Sequence, residues 1–154
     1  MGVSLRQASE SETASYLLAA EAAYASDLVE SGVDPTEAAR RAKDSYNRHF
    51  ADGVLTKEHL LLRVEHEGDG AGFVWIGPFA SGNNDHWWLW DIVIDETFRG
   101  KGVGRQTMML AETAAKAAGA VTLGLNVFTH NAAAMNLYRS LGFEATSTHM
   151  RKTL

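Results

Sequence analysis

Seven consecutive residues, Arg99-Gly100-Lys101-Gly102-Val103-Gly104-Arg105, combine three glycines with three cationic side chains in a chain that is acidic overall. The segment follows an apolar run and precedes a predicted helix. The first turn of a helix has unpaired N–H groups and a positive partial charge, and glycine lets a ligand approach the backbone closely. This combination predicts an anion site that is best suited to phosphate groups.

Two common phosphate motifs do not fit this spacing. A P-loop places Ser or Thr directly after Gly-Lys, but here Gly102 follows Gly100-Lys101. The dinucleotide fingerprint G-x-G-x-x-G needs a glycine where the chain has Arg105 or Thr107. Both motifs are therefore excluded. A loop with helix-capping glycines stays open as a purely structural interpretation.

The elements around this turn are predicted to form an α/β fold with a mixed central sheet and helices on both faces, in a single domain over residues 1–154. Capping signals and apolar spacing indicate the helices, and alternating or fully apolar runs indicate the strands. The predicted helices cover 9–30, 34–50, the stretch from the glycine turn to about 118, and 131–141. The predicted strands cover 60–65, 71–77, 86–94, 121–128 and 143–152.

Composition limits the class of protein. The 154 residues are 45% hydrophobic and 21% charged, the usual mixture of a globular domain. The net charge of 14 − 19 = −5 argues against nucleic acid or an anionic membrane as a partner. The sequence has no cysteine, which excludes thiolate catalysis, and no metal-ligand cluster, so no metal is expected. Without a long apolar run or an N-terminal signal core, we expect a cytoplasmic protein.

Two segments resemble the signatures of the GNAT-type N-acetyltransferases. Residues 99–104 match the family's R/Q-x-x-G-x-G/A turn, and residues 131–143 are similar to its N-x-x-A-x-x-L-Y-x-x-x-G-F signature. Both stand in the family's order and separation. The resemblance implies a GNAT-like fold and an acyltransferase that moves an acetyl group from acetyl-CoA to a primary amine. Because no cysteine can carry the acyl group, transfer would be direct, in a ternary complex.

The resemblance also implies which residues bind acetyl-CoA. In the family, backbone amides of the glycine turn hold the diphosphate, the preceding strand pairs with the pantetheine arm, and the following strand diverges to open a slot. The residues implied as cofactor-binding are Ile92, Val93, Ile94, Arg99, Gly100, Lys101, Gly102, Val103, Gly104, Arg105, Asn126, Asn131 and Tyr138. Asn131 is equally suited to cap the short helix that it begins.

Tyr138 is the residue that the resemblance implies as the general acid. It lies two helical turns after Asn131, so both point along one face. A phenol with a pKa of about 10 can protonate a departing thiolate of similar basicity. The structural alternative is a ring packed in the core beside Leu137 and Leu141.

The general base that deprotonates the amine is open. Many relatives place a glutamate where this chain has Asn126, which cannot accept a proton. Asp91 is a candidate replacement, since strand alternation puts it on a buried face, and burial raises the pKa of a carboxyl group. The other members of that predicted face are Trp87, Leu89 and Val93. Other possibilities are a purely capping Asp91, a water chain, or one of three weaker candidates, His49, His86 and His130.

Two classes of function remain at this level. Besides an N-acetyltransferase, the chain could be an acyl-CoA-binding sensor or partner-binding module without activity, and Asn126 supports that alternative. The acceptor, a small-molecule or peptide amine, is undefined, and a homodimer is possible. Four tryptophans are interpreted as sheet core or as the floor of an acceptor pocket, namely Trp75, Trp87, Trp88 and Trp90.

Overall fold

A computed structural model describes residues 2–154, which form seven strands, four α-helices and one 3₁₀ turn. The strands are β1 Val3–Gln7, β2 Phe50–Ala51, β3 Val54–Leu55, β4 Leu60–His66, β5 Asp69–Ala80, β6 Asn83–Ile94 and β7 Thr122–Leu125. The helices are α1 Glu10–Glu30, α2 Pro35–His49, α3 Val103–Ala117 and α4 Ala132–Ser140, with the 3₁₀ turn at Glu96–Phe98. No helix in the described part is long and apolar enough to cross a membrane.

Five strands form one mixed sheet in the order β1-β4-β5-β6-β7. All neighbours are antiparallel except β6 and β7, which are parallel because α3 connects them. Strands β2 and β3 form a separate small hairpin. The mixed α/β architecture predicted from the sequence is confirmed.

The two N-terminal helices begin at side-chain caps that the sequence carries. Ser9 accepts a hydrogen bond from the Glu12 N–H, and the Glu12 side chain accepts one from the Ser9 N–H, which completes a capping box. Asp34 accepts hydrogen bonds from the N–H groups of Thr36 and Glu37, directly beside Pro35 in the first turn. Their predicted positions are confirmed.

Each face of the sheet is covered by its own apolar layer. Helices α1 and α2 pack on one face, where the buried residues are Tyr16, Ala20, Tyr46, Phe50, Leu61 and Trp75. Helices α3 and α4 pack on the other, where the fully buried residues include Val64, Val74, Ile76, Val103 and Met108. Helices therefore cover both faces, as predicted. The site described below lies where these two layers meet the end of β6.

Both ends of the chain differ from the prediction. Val3–Gln7 forms an edge strand on β4 that the sequence analysis did not predict. The predicted strand over 143–152 is wrong, because the structure has no strand after α4. The Phe143 N–H donates to the Tyr138 carbonyl and ends the helix, and every residue after Phe143 is exposed. A segment that buries no apolar face has little to stabilise strand pairing.

The middle strands also have different lengths from those predicted. The antiparallel pair β5–β6 continues through Pro78, which was expected to end β5, and the turn is confined to Ser81 and Gly82. Pro78 is tolerated because the ladder is irregular there. Strand β7 ends at Leu125, so Asn126 and the residues up to 128 lie outside it.

Candidate active site

One extra residue interrupts β6 at the centre of the sheet. Trp75 is paired with Asp91 and Ile76 with Leu89, so Trp90 has no partner of its own and forms a β-bulge. The bulge reverses the alternation of side chains along the strand. Asp91 therefore faces α1 and α2, whereas Leu89 belongs to the core on the α3 side. The prediction that Asp91 shares a face with Trp87 and Leu89 is wrong, because periodicity does not reveal the extra residue.

Strands β6 and β7 part at the same place. They are paired from His86 with Thr122 to Leu89 with Leu125, and the pairing ends there. Beyond Leu89, β6 continues to Ile94 paired only with β5. The edge of Ile92, Val93 and Ile94 that faces away from β5 thus has no strand partner within residues 2–154. An extended chain with amide groups can add to such an edge.

The glycine turn follows directly and leads into α3. Gly100 and Gly102 adopt the left-handed conformation, with φ of 72° and 78°. A Cβ atom at Gly100 would meet nothing within 4 Å, so the space beside the turn is open. Gly102 is the N-cap of α3 and supplies no side-chain acceptor for the N–H groups of the first turn. Open space and uncapped N–H groups fit the oxygens of a diphosphate.

The cations of the turn have different surroundings. The Arg99 Nε donates to the Ile94 carbonyl at 2.9 Å, which holds the turn against the end of β6. Arg105 Nη1 donates to Ser140 Oγ at 2.7 Å and so connects α3 to α4. Lys101 is exposed, with its Nζ 5.8 Å from the centroid of the Phe98 ring. All three add positive potential at the anion site, and Lys101 is the least constrained.

Val103 and Gly104, at the start of α3, form the side of the candidate site that faces α4. Val103 is buried in the core, and a Cβ at Gly104 would lie 3.6 Å from Leu137 and 3.8 Å from Ile94. The start of α3 therefore packs closely against both β6 and α4. This packing brings the predicted turn, strand and short helix together around one opening.

The two predicted asparagines differ in their roles. Asn131 Oδ1 accepts a hydrogen bond from the Ala134 N–H at 3.2 Å, so its capping role is confirmed. Asn126 is exposed in the segment after β7. Neither residue can act as a base, because an amide does not take up a proton in this pH range.

Tyr138 is buried on α4, with its ring packed edge-on against Phe143 at 5.8 Å. Its hydroxyl makes no hydrogen bond to residues 2–154. Burial, together with the negative charge of Asp91, raises the pKa of Tyr138 to about 12. The side chain is therefore both a core residue and a phenol that stays protonated at neutral pH.

Asp91 lies on β6 directly before the open edge of Ile92, Val93 and Ile94, and it has a specific partner. Its Oδ2 accepts a hydrogen bond from the Tyr16 hydroxyl of α1 at 2.7 Å. Burial raises the pKa of Asp91, the hydrogen bond from Tyr16 opposes that rise, and the charge of Asp27 adds to it. Burial also raises the pKa of Tyr16, so its hydroxyl stays protonated and acts as the donor.

Tyr16 was missed in the sequence analysis. It stands 75 positions before Asp91, and only the folded sheet brings the two together. The helical apolar stripe of α1 could have marked it as a buried residue, but not as the partner of a carboxylate.

The three histidines proposed as weaker bases each contact other side chains. His86 Nδ1 lies 2.7 Å from Thr122 Oγ1, and His130 Nε2 lies 3.5 Å from carboxylate oxygens of both Asp27 and Glu30. His49 is stacked on His59, and burial lowers the pKa of both rings. The His49 ring also lies 4.4 Å from the ring of Trp90, the residue before Asp91. A catalytic role for any of the three histidines stays a prediction.

The tryptophans are divided between the two faces of the sheet. Trp75 and Trp90 stack on each other at 5.5 Å on the α1–α2 side, and Trp75 Nε1 donates to His59 Nδ1 at 3.0 Å. Trp87 is in the core on the α3 side. Trp88 packs against Trp90 and against the exposed Phe79, and both indoles are half-buried. The four tryptophans therefore do not form one pocket floor. Trp75 and Trp87 are sheet core, and a role of Trp88 and Trp90 in an acceptor pocket stays a prediction.

Comparison with known proteins identifies this arrangement. A family model described as "Acetyltransferase (GNAT) family" matches residues 22–143. The chain belongs to the GNAT acetyltransferase family. The parted strands and the glycine turn are thus features of a GNAT domain, a family whose members use acetyl-CoA and act on amines.

The GNAT assignment extends over the whole chain in one relative. The "Uncharacterized N-acetyltransferase YycN" of Bacillus subtilis is 30% identical over 156 residues, covering 100% of both chains. Its crystal structure has a TM-score of 0.91 and covers 99% of this chain and 98% of that one. The streptothricin acetyltransferase of Streptomyces lavendulae is 36% identical over 93 residues, 60% of this chain and 48% of that one.

A CoA-bound structure shares the GNAT fold. The PaiA N-acetyltransferase of Thermoplasma acidophilum, crystallised with coenzyme A, has a TM-score of 0.68 at 16% identity. It covers 97% of this chain and 94% of the other. At this identity the likeness concerns the fold.

Proposed function

We propose that this GNAT domain is an acetyl-CoA-dependent N-acetyltransferase that acts on a primary amine by direct transfer in a ternary complex. The observation that carries the proposal is the parting of β6 and β7 after Leu89 and Leu125, directly beside the uncapped start of α3. Together they provide an edge for the amides of a pantetheine arm and N–H groups for a diphosphate. Acetyl-CoA supplies the activated thioester when it is bound.

The residues of the opening divide the proton handling. Asp91 accepts a proton from the ammonium form of the acceptor, so that the neutral amine can attack the thioester carbonyl. The N–C bond forms and the C–S bond breaks, and Tyr138 donates its hydroxyl proton to the departing sulfur. The second proton of the attacking nitrogen then passes to the Tyr138 phenolate, and Asp91 returns its proton to solvent, so both side chains regain their starting forms. Free N–H groups on the open edge of β6 stabilise the oxyanion that develops on the carbonyl oxygen.

The binding residues follow from the same placement. The amides of residues 100–104 and the cation of Lys101 hold the diphosphate, and Arg99 and Arg105 support the turn through Ile94 and Ser140. Asn131 fixes the start of α4 and thereby the position of Tyr138 on it. Asn126 directly follows the last residue of β7 that pairs with β6, and its exposed amide would hydrogen-bond to the pantetheine arm.

The proposal is tested by the release of free thiol from acetyl-CoA over a panel of amines. The panel contains polyamines, aminoglycosides, amino acids, peptides with free N-termini and, because of the Streptomyces relative, streptothricin. We expect saturable, amine-dependent release with at least one class. The matched control replaces each active amine by its fully N-acetylated form, in which every amino group is blocked and which should give no release.

A second candidate is an acyl-CoA-binding sensor without catalytic activity. The observation that favours it is Asn126, an exposed amide where many relatives have a catalytic carboxylate. Binding of acetyl-CoA by calorimetry, with no thiol release over the whole panel, would support the sensor and contradict the transferase.

A further inference from the structure

The hydrogen bond between Tyr16 and Asp91 joins the N-terminal helix to the central strand at the bulge. Oδ2 of Asp91 is the acceptor, at 2.7 Å, and no other side-chain hydrogen bond to Asp91 is present within residues 2–154. The carboxylate is thus held by one side-chain donor besides the Ile92 N–H, and it keeps further acceptor positions at which it can take up a proton.

The donor is fixed by its surroundings. Tyr16 is 3% exposed, and its ring packs against Phe73 at 5.3 Å and Phe50 at 6.3 Å. A phenol held in this way can point its hydroxyl in few directions, so little conformational entropy is lost when the hydrogen bond forms. The hydrogen bond from this fixed ring therefore restricts the orientation of the Asp91 carboxylate.

We propose that Tyr16 is a positioning residue for Asp91, which holds the carboxylate in one orientation and favours its ionised form so that it can accept the proton of the amine. The inference rests on the proposed function, in which Asp91 is the base. It adds a residue of α1 to a site whose other members come from β6, the glycine turn, α3, the segment after β7 and α4.

Other groups also surround Asp91, and the direction in which each charged or donating group shifts its pKa is known. Tyr46 of α2 and Tyr138 of α4 are neutral at the working pH, and both feel the charge of Asp91. Asp27 of α1 carries a negative charge that raises the pKa of Asp91, and the Ile92 N–H lowers it. The Tyr16 hydroxyl is hydrogen-bonded to this carboxylate, so its removal should raise the pKa of Asp91.

The test is Tyr16→Phe, which removes the hydroxyl and keeps the ring. A carboxylate that loses a charge-assisted hydrogen bond has a higher pKa, so the acid limb of the kcat/KM profile should move up by about one pH unit. At one pH on that limb, kcat/KM then falls about tenfold. The KM for acetyl-CoA should not change, because Tyr16 does not contact the glycine turn.

The matched control is Tyr24→Phe, which removes a hydroxyl from the same helix where no hydrogen bond to Asp91 exists. Tyr24→Phe should leave the pH of the acid limb of the kcat/KM profile unchanged. An unchanged limb in Tyr16→Phe, or an equal shift in both variants, would overturn the proposal.

A second measurement does not depend on turnover. The carboxyl carbon of Asp91 is titrated by NMR in protein labelled with ¹³C-aspartate, and its midpoint should be lower in the wild type than in Tyr16→Phe. If Tyr16→Phe does not fold, the wild type alone decides. The Tyr16 ring carbon that bears oxygen should change at the Asp91 midpoint, and independent titration of the two residues contradicts the hydrogen bond.

The failures of the two proposals are distinguishable. If the wild type releases no thiol with any amine, the proposed function falls, and the NMR midpoints still show whether Tyr16 controls Asp91. If the Asp91→Asn variant releases thiol at the full wild-type rate, the proposal of a transferase stands. Tyr16 then loses its proposed role, because Asp91 is not the base.

Discussion

Burial affects the ionisable side chains of the site in one direction, towards their uncharged forms. It raises the pKa of Tyr16, of Tyr138 and of Asp91. The two phenols therefore remain donors over the physiological range. The carboxyl group becomes a stronger base than an exposed aspartate, which is the change that a proton acceptor at neutral pH needs.

The proposed role of Tyr138 as general acid can be tested by a single substitution. Tyr138→Phe removes the proton donor and keeps the edge-on packing with Phe143. We expect kcat to fall by about 10²-fold, with the KM for acetyl-CoA nearly unchanged, because general acid catalysis contributes about that factor. Steady-state thiol release measures both constants.

The control for Tyr138→Phe is the melting temperature, which should stay within a few degrees of the wild type. Full activity in a folded variant would show that another group protonates the sulfur. A joint loss of kcat and stability would instead indicate a structural role for the hydroxyl.

Local spacing and the family resemblance were enough to select part of the candidate site. The glycine turn, Asn131 and Tyr138 lie within short segments whose geometry depends on neighbouring residues. The partner of Asp91 could not be predicted, because Tyr16 and Asp91 meet only through tertiary packing. The face of Asp91 was predicted wrongly for a related reason, since a bulge leaves no trace in an apolar run such as 86–94.

At the scale of elements, the approach of β5 to the end of β6 depends on one glycine. Gly72 is paired with Ile94, and a Cβ at this position would collide with the Val93 carbonyl oxygen. The backbone on both sides is held in the ladder and cannot move away freely. This glycine thus determines how closely β5 supports the strand that carries the site.

The prediction for this element is that Gly72→Ala destabilises the fold by about 3 kcal/mol, because backbone must shift to admit the methyl group. Urea unfolding measures the change. Gly53→Ala is the control, since Gly53 has a φ of 77° and open space around its Cβ. It carries only the strain of the left-handed conformation, about 1 kcal/mol, and equal losses would refute the steric account.

The elements themselves were predictable to different degrees. The helices α1 and α2 have local caps at Ser9 and Asp34, so their starts could be predicted from neighbouring residues. Strand β1 exists because Val3 and its neighbours pair with β4, a distant segment. The segment 143–152 has a strand-like sequence but no partner in the fold, and pairing is what a strand requires.

At the scale of the whole molecule, the sheet separates two groups of residues of the candidate site. The α3–α4 side carries the glycine turn and Tyr138, and the α1–α2 side carries Tyr16 and faces Asp91. In the proposed complex, a ligand bound where β6 and β7 part would contact both sides of the sheet. Binding there should couple the two layers, because the ligand would contact elements from both.

Coenzyme A should therefore protect the whole fold against heat. At a concentration of about 100 times Kd, a ligand that binds only the native state stabilises it by about 2.7 kcal/mol. For a domain of this size we expect the melting temperature to rise by roughly 5–10 °C. Differential scanning fluorimetry measures the shift.

Pantetheine is the control ligand, because it has the same arm without the diphosphate. It should protect much less than coenzyme A at the same concentration. Equal protection by the two ligands would show that the glycine turn does not bind phosphate.

The unpaired Trp90 has a consequence for how such a cleft can be altered. If this residue were deleted, Asp91 would follow Leu89 directly and still point to its present side, now in regular alternation. Strand β6 would then pair with β5 without interruption at this point. The side to which the carboxylate points would thus survive the loss of the bulge, so the register of the strand could be redesigned while the orientation of Asp91 is kept.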